Sequence, residues 1–238
     1  VTKKAKNDGV SASVEGGSFG SFGAQGRVQT AYAKGKWTHA YSASGGYKRS
    51  DGGTDNSDFE KGQGFGQVNL SYDQCFDINA QVGISTQSYG ANTFYSAKYN
   101  NQYEKTDHGL ASLNLSLHNQ EKTWEIAPQF YYNKFKDHYQ LIRGKAGAAA
   151  GENYHDLDVY GGGVNANVAW ALGKTAVGFD ISKECIYSTA LGEELAEKDY
   201  KDISGSDRQY TRKGERTNTN IMLEHNFIFG GFTLSAGV

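Results

Sequence analysis

Residues able to do covalent or metal chemistry are few in this sequence, and most stand in settings that argue against it. Gly16-x-Ser18-x-Gly20 has the spacing of a hydrolase nucleophile elbow. That motif needs a strand, a sharp turn and then a helix, whereas the residues after Gly20 alternate like a second strand, so a hairpin is expected. Gly161-Gly162-Gly163 lacks the Lys-Ser/Thr that a phosphate loop carries. Glycines there suit a strand against which something packs closely. The six histidines include no His-x-x-x-His pair, and no metalloenzyme centre is expected from them. Cys75 and Cys185 are far apart and show no ligand spacing; two free thiols are expected, with a disulfide as the alternative. The exception is acidic. Asp51, Asp55, Asp58 and Glu60 crowd positions 51 to 60 and offer the hard oxygens that calcium prefers. Asp51, Asp55 and Asp58 are therefore candidate calcium ligands, against the alternative of a solvated acidic loop.

The elements that must carry these residues are strands. Phe76, Ile78, Ala80, Val82 and Ile84 alternate with Asp77, Asn79, Gln81, Gly83 and Ser85, the period of a sheet with one apolar face. Leu113, Leu115 and Leu117 alternate with Ser112, Asn114 and Ser116 in the same way. About eleven strands are expected, over 9–16, 20–34, 36–49, 63–73, 76–88, 106–118, 122–138, 155–171, 174–188, 215–229 and 231–238. Tight turns near Lys34-Gly35-Lys36, Asp73-Gln74-Cys75, Asn119-Gln120-Glu121, Gly173-Lys174 and Gly230-Gly231 alternate with polar segments at 50–62, 89–105, 139–154 and 189–214. In an up-and-down sheet this sorts short turns to one end and long loops to the other, as in outer-membrane barrels.

Composition agrees with that reading. The chain has 238 residues, 31 glycines and one proline, Pro128. No run approaches the roughly 18 apolar residues of a membrane-crossing helix, but a barrel strand crosses in about 10 and needs apolar side chains on one face only. Tyr72, Phe76, Trp124, Trp170 and Phe232 lie beside the short turns, and Tyr47, Tyr132 and Tyr187 nearer the long loops, as two interfacial girdles would. The net charge of −2 gives no bulk attraction to nucleic acid. A soluble or surface-attached β-sheet binding module is the alternative. About eleven strands leave two open edges, which lipid does not tolerate, and eleven is half of the 22 found in plugged outer-membrane transporters. The expected fold is all-β: an antiparallel up-and-down transmembrane β-barrel, of which this chain supplies about half.

Several stretches are similar to a single family. Val1-Thr2-Lys3-Lys4 resembles the last strand of the plug domain in TonB-dependent receptors, and Gly16-Gly17-Ser18-Phe19-Gly20 resembles their first barrel hairpin. Asp51 to Phe59, ending Asp55-Asn56-Ser57-Asp58-Phe59, is similar to their second extracellular loop. The stretch from Tyr89-Gly90-Ala91-Asn92 to Asn101-Gln102-Tyr103-Glu104 resembles the third extracellular loop of vitamin B12 receptors from the Bacteroides group, with Asn100 where that loop usually has Pro. Glu152-Asn153-Tyr154-His155 and Tyr187-Ser188-Thr189-Ala190-Leu191-Gly192 are similar to the same group.

The resemblance implies residues 1–8 as the end of a plug domain and its linker, and 9–238 as the N-terminal half of the barrel. It implies no enzyme activity, a place in the cell outer membrane of a Gram-negative bacterium, and TonB-energised uptake of a scarce large nutrient. Cobalamin is the first expectation and a siderophore the rival. Partners would be outer-membrane lipid, the TonB complex through the plug, the ligand and a surface lipoprotein. In enteric cobalamin receptors the matching acidic loop binds calcium; Asp55 falls at a similar place and Asp58 is displaced by one. No other cofactor is implied. The candidate ligand-binding residues are Asn92, Tyr95, Tyr99, Asn101 and Tyr103. Tyrosine offers a flat apolar face and one hydroxyl at low entropic cost, which suits a corrinoid; mutual packing of these tyrosines is the alternative. The charged segment from Glu193 to Arg216 reads as a mobile loop and a candidate cap over the pore.

Overall fold

In the computed structural model, which describes residues 4–238, the alternating stretches form strands that pair strictly with their chain neighbours. They are β1 (Gly9–Gly16), β2 (Phe22–Lys34), β3 (Trp37–Ser50), β4 (Phe59–Tyr72), β5 (Phe76–Asn92), β6 (Gln102–His118), β7 (Trp124–Gln140), β8 (Glu152–Trp170) and β9 (Gly173–Ser188). Three two-residue strands follow, β10 (Glu193–Glu194), β11 (Lys201–Asp202) and β12 (Gln209–Tyr210), then β13 (Arg212–Phe229) and β14 (Phe232–Gly237). The sheet runs β1 to β9, then β13, which pairs β14; β10 adds to the start of β13, and β11 and β12 pair with each other. Every pairing is antiparallel. The expected all-β up-and-down topology is therefore present, and no described helix is long and apolar enough to cross a membrane.

Strand boundaries depart from expectation at one end only. At the short turns they match closely, but β4 starts at 59, β5 runs to 92, β6 starts at 102 and β8 at 152, so the loops are shorter than the polar segments suggested. The backbone ladder does not depend on side-chain polarity. Beyond the apolar band the outer face turns polar as well, the alternation fades, and pairing continues.

Register sorts the side chains. Val68, Ala80 and Leu113 lie in one row and Leu70, Ile78 and Leu115 in another, while Gln67, Gln81 and Ser112 share the opposite face. A one-residue slip would exchange the faces, so the apolar pattern fixes the pairing. The apolar face is the bare one: Ile84 is 67 % exposed, and Val82, Ile126, Phe130, Val164, Phe179 and Ile221 are exposed beside it. Most of the hidden residues are polar, among them Gln67, Asn69 and Ser182. A groove of about 670 Å³ runs along the polar side past Gln25, Arg27, Ser44, Gln63 and His108. The polar face is thus the inner one, where side chains converge. The band runs from the Trp124 and Trp170 level to the Tyr132 and Tyr160 level; beyond it the outer face turns polar, while the inner face carries the row Phe135, Leu157 and Ile186 before Asp137 and Tyr139.

Two sequence anomalies find local reasons. Pro128 sits where the β6–β7 pairing is interrupted between Asn114 and Leu117, as expected of a residue with no N–H to donate. Gly161 lets Tyr131 cross β8: a Cβ there would lie 2.6 Å from the Tyr131 hydroxyl, which donates to Asp180 on β9 at 3.1 Å. The close packing expected at the triple glycine is therefore with a neighbouring strand. Val1-Thr2-Lys3, part of the expected plug segment, lies outside the described residues. From Lys4 the chain follows the inner face near the short-turn end, with Lys4 Nζ donating to Ser71 Oγ (3.0 Å) and Gln29 Nε2 to the Asn7 carbonyl (3.2 Å).

Candidate functional site at the long-loop end

The loop between β5 and β6 is shaped by one side chain. Gln102 is fully buried; its Nε2 donates to the carbonyls of Ser96 (3.1 Å) and Tyr99 (2.7 Å), and its Oε1 accepts from the Tyr139 hydroxyl (3.0 Å). All its polar atoms are satisfied, so the loop is held rather than free. Below it the register sets Tyr89, Glu104 and Tyr139 side by side on the inner face. Tyr95 closes this group, edge-on to Tyr139 at 5.2 Å and to Phe94 at 4.8 Å, with its hydroxyl donating to Glu104 Oε2. Burial and the Glu104 carboxylate push the Tyr95 hydroxyl up to about 12, so it remains a donor. Asp137, on the same face of β7, has a buried Oδ1 with no hydrogen-bond partner. Burial, then the neighbouring charge of Glu104, raise its carboxyl to about 6.

The five expected ligand residues do not form one surface. Tyr95 belongs to the inner aromatic group. Tyr99 and Asn101 are exposed on the loop. Tyr103 has the parity of the outer face, where its ring lies under the Arg143 guanidinium at 4.9 Å. Asn92 is a latch: its backbone N–H reaches the Asn56 carbonyl (3.1 Å) and its Nδ2 the Asp55 carbonyl (2.9 Å), in a left-handed conformation (φ 36°) that asparagine tolerates.

The acidic stretch is committed elsewhere. Asp58 takes both ends of Arg143, Nη1 to Oδ1 at 2.6 Å and Nη2 to Oδ2 at 2.9 Å, and that guanidinium holds its carboxyl below the ordinary range. Asp51 accepts from Arg49 Nη2 at 2.6 Å. Asp55 contributes its carbonyl to Asn92. Among the described residues no three carboxylate, histidine or cysteine side chains are placed to hold a metal ion. The arrangement does not fit the calcium set that the sequence suggested.

On the outer side, Glu152 is the hub. It is 3 % exposed and accepts from Gly147 N (2.7 Å), His138 Nε2 (2.9 Å), Tyr154 hydroxyl (3.0 Å) and Gln140 Nε2 (3.2 Å). Burial alone would raise its carboxyl, but these donors outweigh it and bring it down to about 2. The segment between β9 and β13 docks on this hub instead of capping the pore. Arg208 donates to the Glu152 carbonyl at 2.6 Å. Lys201 stands 3.6 Å from the centre of the Tyr187 ring, and Ile203 and Tyr210 are buried. Tyr154 and Tyr187 belong to the outer face, so the segment is folded down the outer wall. The expected mobile cap is corrected to a docked strap. Its own signal was weak: isolated Ile203 and Tyr210 in a charged stretch have no period.

The resulting site offers aromatic faces, hydroxyl donors and carboxylates; Ser188 Oγ lies 2.9 Å from His155 Nδ1 but is fully buried and already accepts from the backbone N–H groups of Ala190 and Leu191, and Ser18 lies in a hairpin turn between β1 and β2. Glu104, Gln102, Tyr139, Arg143 and Glu152 were not singled out by sequence. No protein-family model matches the chain, and no curated protein does. Solved structures do. The copper transporter OprC matches with a TM-score of 0.70 at 16 % identity, over 99 % of this chain and 37 % of that one. The ferric citrate transporter FecA, in its unliganded form, matches with a TM-score of 0.66 at 13 % identity, over 99 % of this chain and 38 % of that one. The chain spans less than two fifths of either protein, and at these identities the likeness is one of fold: it has the fold of a part of these transporters.

Proposed function

We propose that this chain is barrel wall from a TonB-dependent outer-membrane receptor that takes up a scarce large nutrient. The exposed apolar band carries the reading. Its face has no protein cover, and water around it would forfeit about 25 cal/mol for each Å² left bare; lipid removes that cost. The band's height, roughly ten residues per strand, suits a bilayer, and its rims carry Trp124, Trp170, Tyr132 and Tyr160. These features disfavour the soluble binding module.

The ligand reading is cobalamin or another corrinoid, captured at the aromatic group of Tyr89, Tyr95 and Tyr139 with the exposed Tyr99 and Asn101 beside it. Flat aromatic faces and amides suit a large planar molecule decorated with amides. A metal-chelate nutrient of the siderophore type is the second reading, in keeping with the ferric citrate that FecA transports. The TonB complex and a surface lipoprotein enter as partners of the full-length receptor. Binding of cyanocobalamin to that receptor in detergent, measured by calorimetry, tests the reading. Tight one-to-one binding is expected; a folded receptor that binds a ferric siderophore and not the vitamin would replace it.

A further inference from the structure

We propose that Arg143 is a built-in cation for the mouth of the barrel, holding three of its long loops together as calcium would hold an acidic loop. Its consequence for ligand affinity rests on the corrinoid reading above; its consequence for loop order does not.

Arg143, on the loop between β7 and β8, grips Asp58 of the β3–β4 loop through two parallel N–H donors and also reaches Asn56 Oδ1 at 3.1 Å. Its backbone N–H donates to the Asn101 carbonyl on the β5–β6 loop at 2.6 Å. Asn56 extends the clasp: its Nδ2 donates to the Gln102 carbonyl at 2.6 Å, and its own carbonyl accepts from Asn92. Gly90 fits against it, since a Cβ there would fall 2.6 Å from the Asn56 carbonyl oxygen. One residue therefore ties all three loops.

Calcium organises a loop by drawing in six or more oxygens. Here the Asp58 oxygens, the Asn56 amide oxygen and the Asn101 carbonyl already have donors on Arg143, and Asp51 has Arg49. A divalent ion would have to displace a guanidinium whose charge is permanent and whose planar fork matches the carboxylate. Arg143 is thus a positioning residue: it acts through Gln102 and the loop that carries Tyr95 and Tyr99.

The test uses the full-length receptor in detergent with Cys75→Ser and Cys185→Ser, and spin labels on Thr54→Cys and Lys145→Cys. The label distance should be narrow, unchanged by EDTA or added calcium, and broad in Arg143→Ala and Asp58→Ala. Cyanocobalamin affinity should fall about tenfold or more in each variant, with the melting temperature of the barrel unchanged. The exchanged pair, Asp58→Arg with Arg143→Asp, should recover the narrow distance. Broadening of the unsubstituted receptor by EDTA with recovery on calcium would overturn the proposal, as would a narrow distance in Arg143→Ala. If cyanocobalamin fails to bind while the distances behave as stated, the ligand reading falls and the role of Arg143 stands.

Discussion

At the scale of single residues, small changes on the inner wall should have large effects because side chains there touch across strands. Gly161→Val places a branched side chain against the Tyr131 hydroxyl and the Ile181 carbonyl, and overpacking of this kind costs about 1–3 kcal/mol. Tyr131→Phe loses only the bond to Asp180, about 1 kcal/mol. Urea unfolding in detergent should rank the two in that order. The carboxylates near the mouth should give opposite pH signatures. Glu152 titrates at about 2 in place of 4.5; its contribution is complete above the ordinary value and is lost as pH falls toward 2. Asp137 titrates at about 6 in place of 3.8, so its charged form destabilises the fold as pH rises through that window. Melting curves should therefore show Glu152→Gln flattening the acid limb, and Asp137→Asn gaining about 1 kcal/mol at pH 7 after solvent screening. Neither residue stood out in sequence. A lone carboxylate in a polar stretch looks the same whether four donors surround it or none, whereas Tyr95 could be picked from its aromatic, amide-rich surroundings.

At the scale of elements, what was legible was whatever had a period. Residues 76 to 84 alternate because one face of the strand is apolar and the other polar, as the proposed place in a membrane requires, so β5 was visible from Phe76 onward. The same strand from Gln87 to Asn92 was not, since both of its faces are wet. The acidic loop shows the complementary limit: its composition matches calcium chemistry, but Arg143 lies 85 residues from Asp58 in the chain, and no local pattern links them. The strands themselves give a sharp contrast to measure. Leu113 lies on the apolar face and Ser112 next to it on the polar one. Leu113→Arg should cost about 2–4 kcal/mol if that face meets the bilayer interior, while Ser112→Arg should cost well under half as much. Equal costs in a refolding titration into lipid vesicles would contradict the membrane placement of the band.

At the scale of the whole molecule, the distribution of buried residues is inverted relative to a soluble domain. Among the described residues the buried hydrophobic ones are Ala5, Ala40, Ala91, Ile203 and Tyr210, too few for a core. Stability must therefore come from the backbone ladder, the inner polar contacts and the medium outside. Two of the five, Ile203 and Tyr210, belong to the strap on the outer wall, so this segment is built to stay docked there. That placement separates two roles for the segment, which deletion can tell apart. Replacing residues 196–208 by a short Gly-Ser link keeps the pairing of Glu193 and Glu194 with β13 and removes Arg208. A cap over the pore would leave the opening less obstructed, and single-channel conductance or vitamin entry would rise. A strap on the wall would leave both unchanged, because nothing over the opening has been removed. It would instead release Glu152 and the loop at 141–151 from their outer support, and protease should cut that loop faster in the deleted receptor. The second pattern is expected, and Arg208→Ala should reproduce its protease sensitivity without any change in conductance.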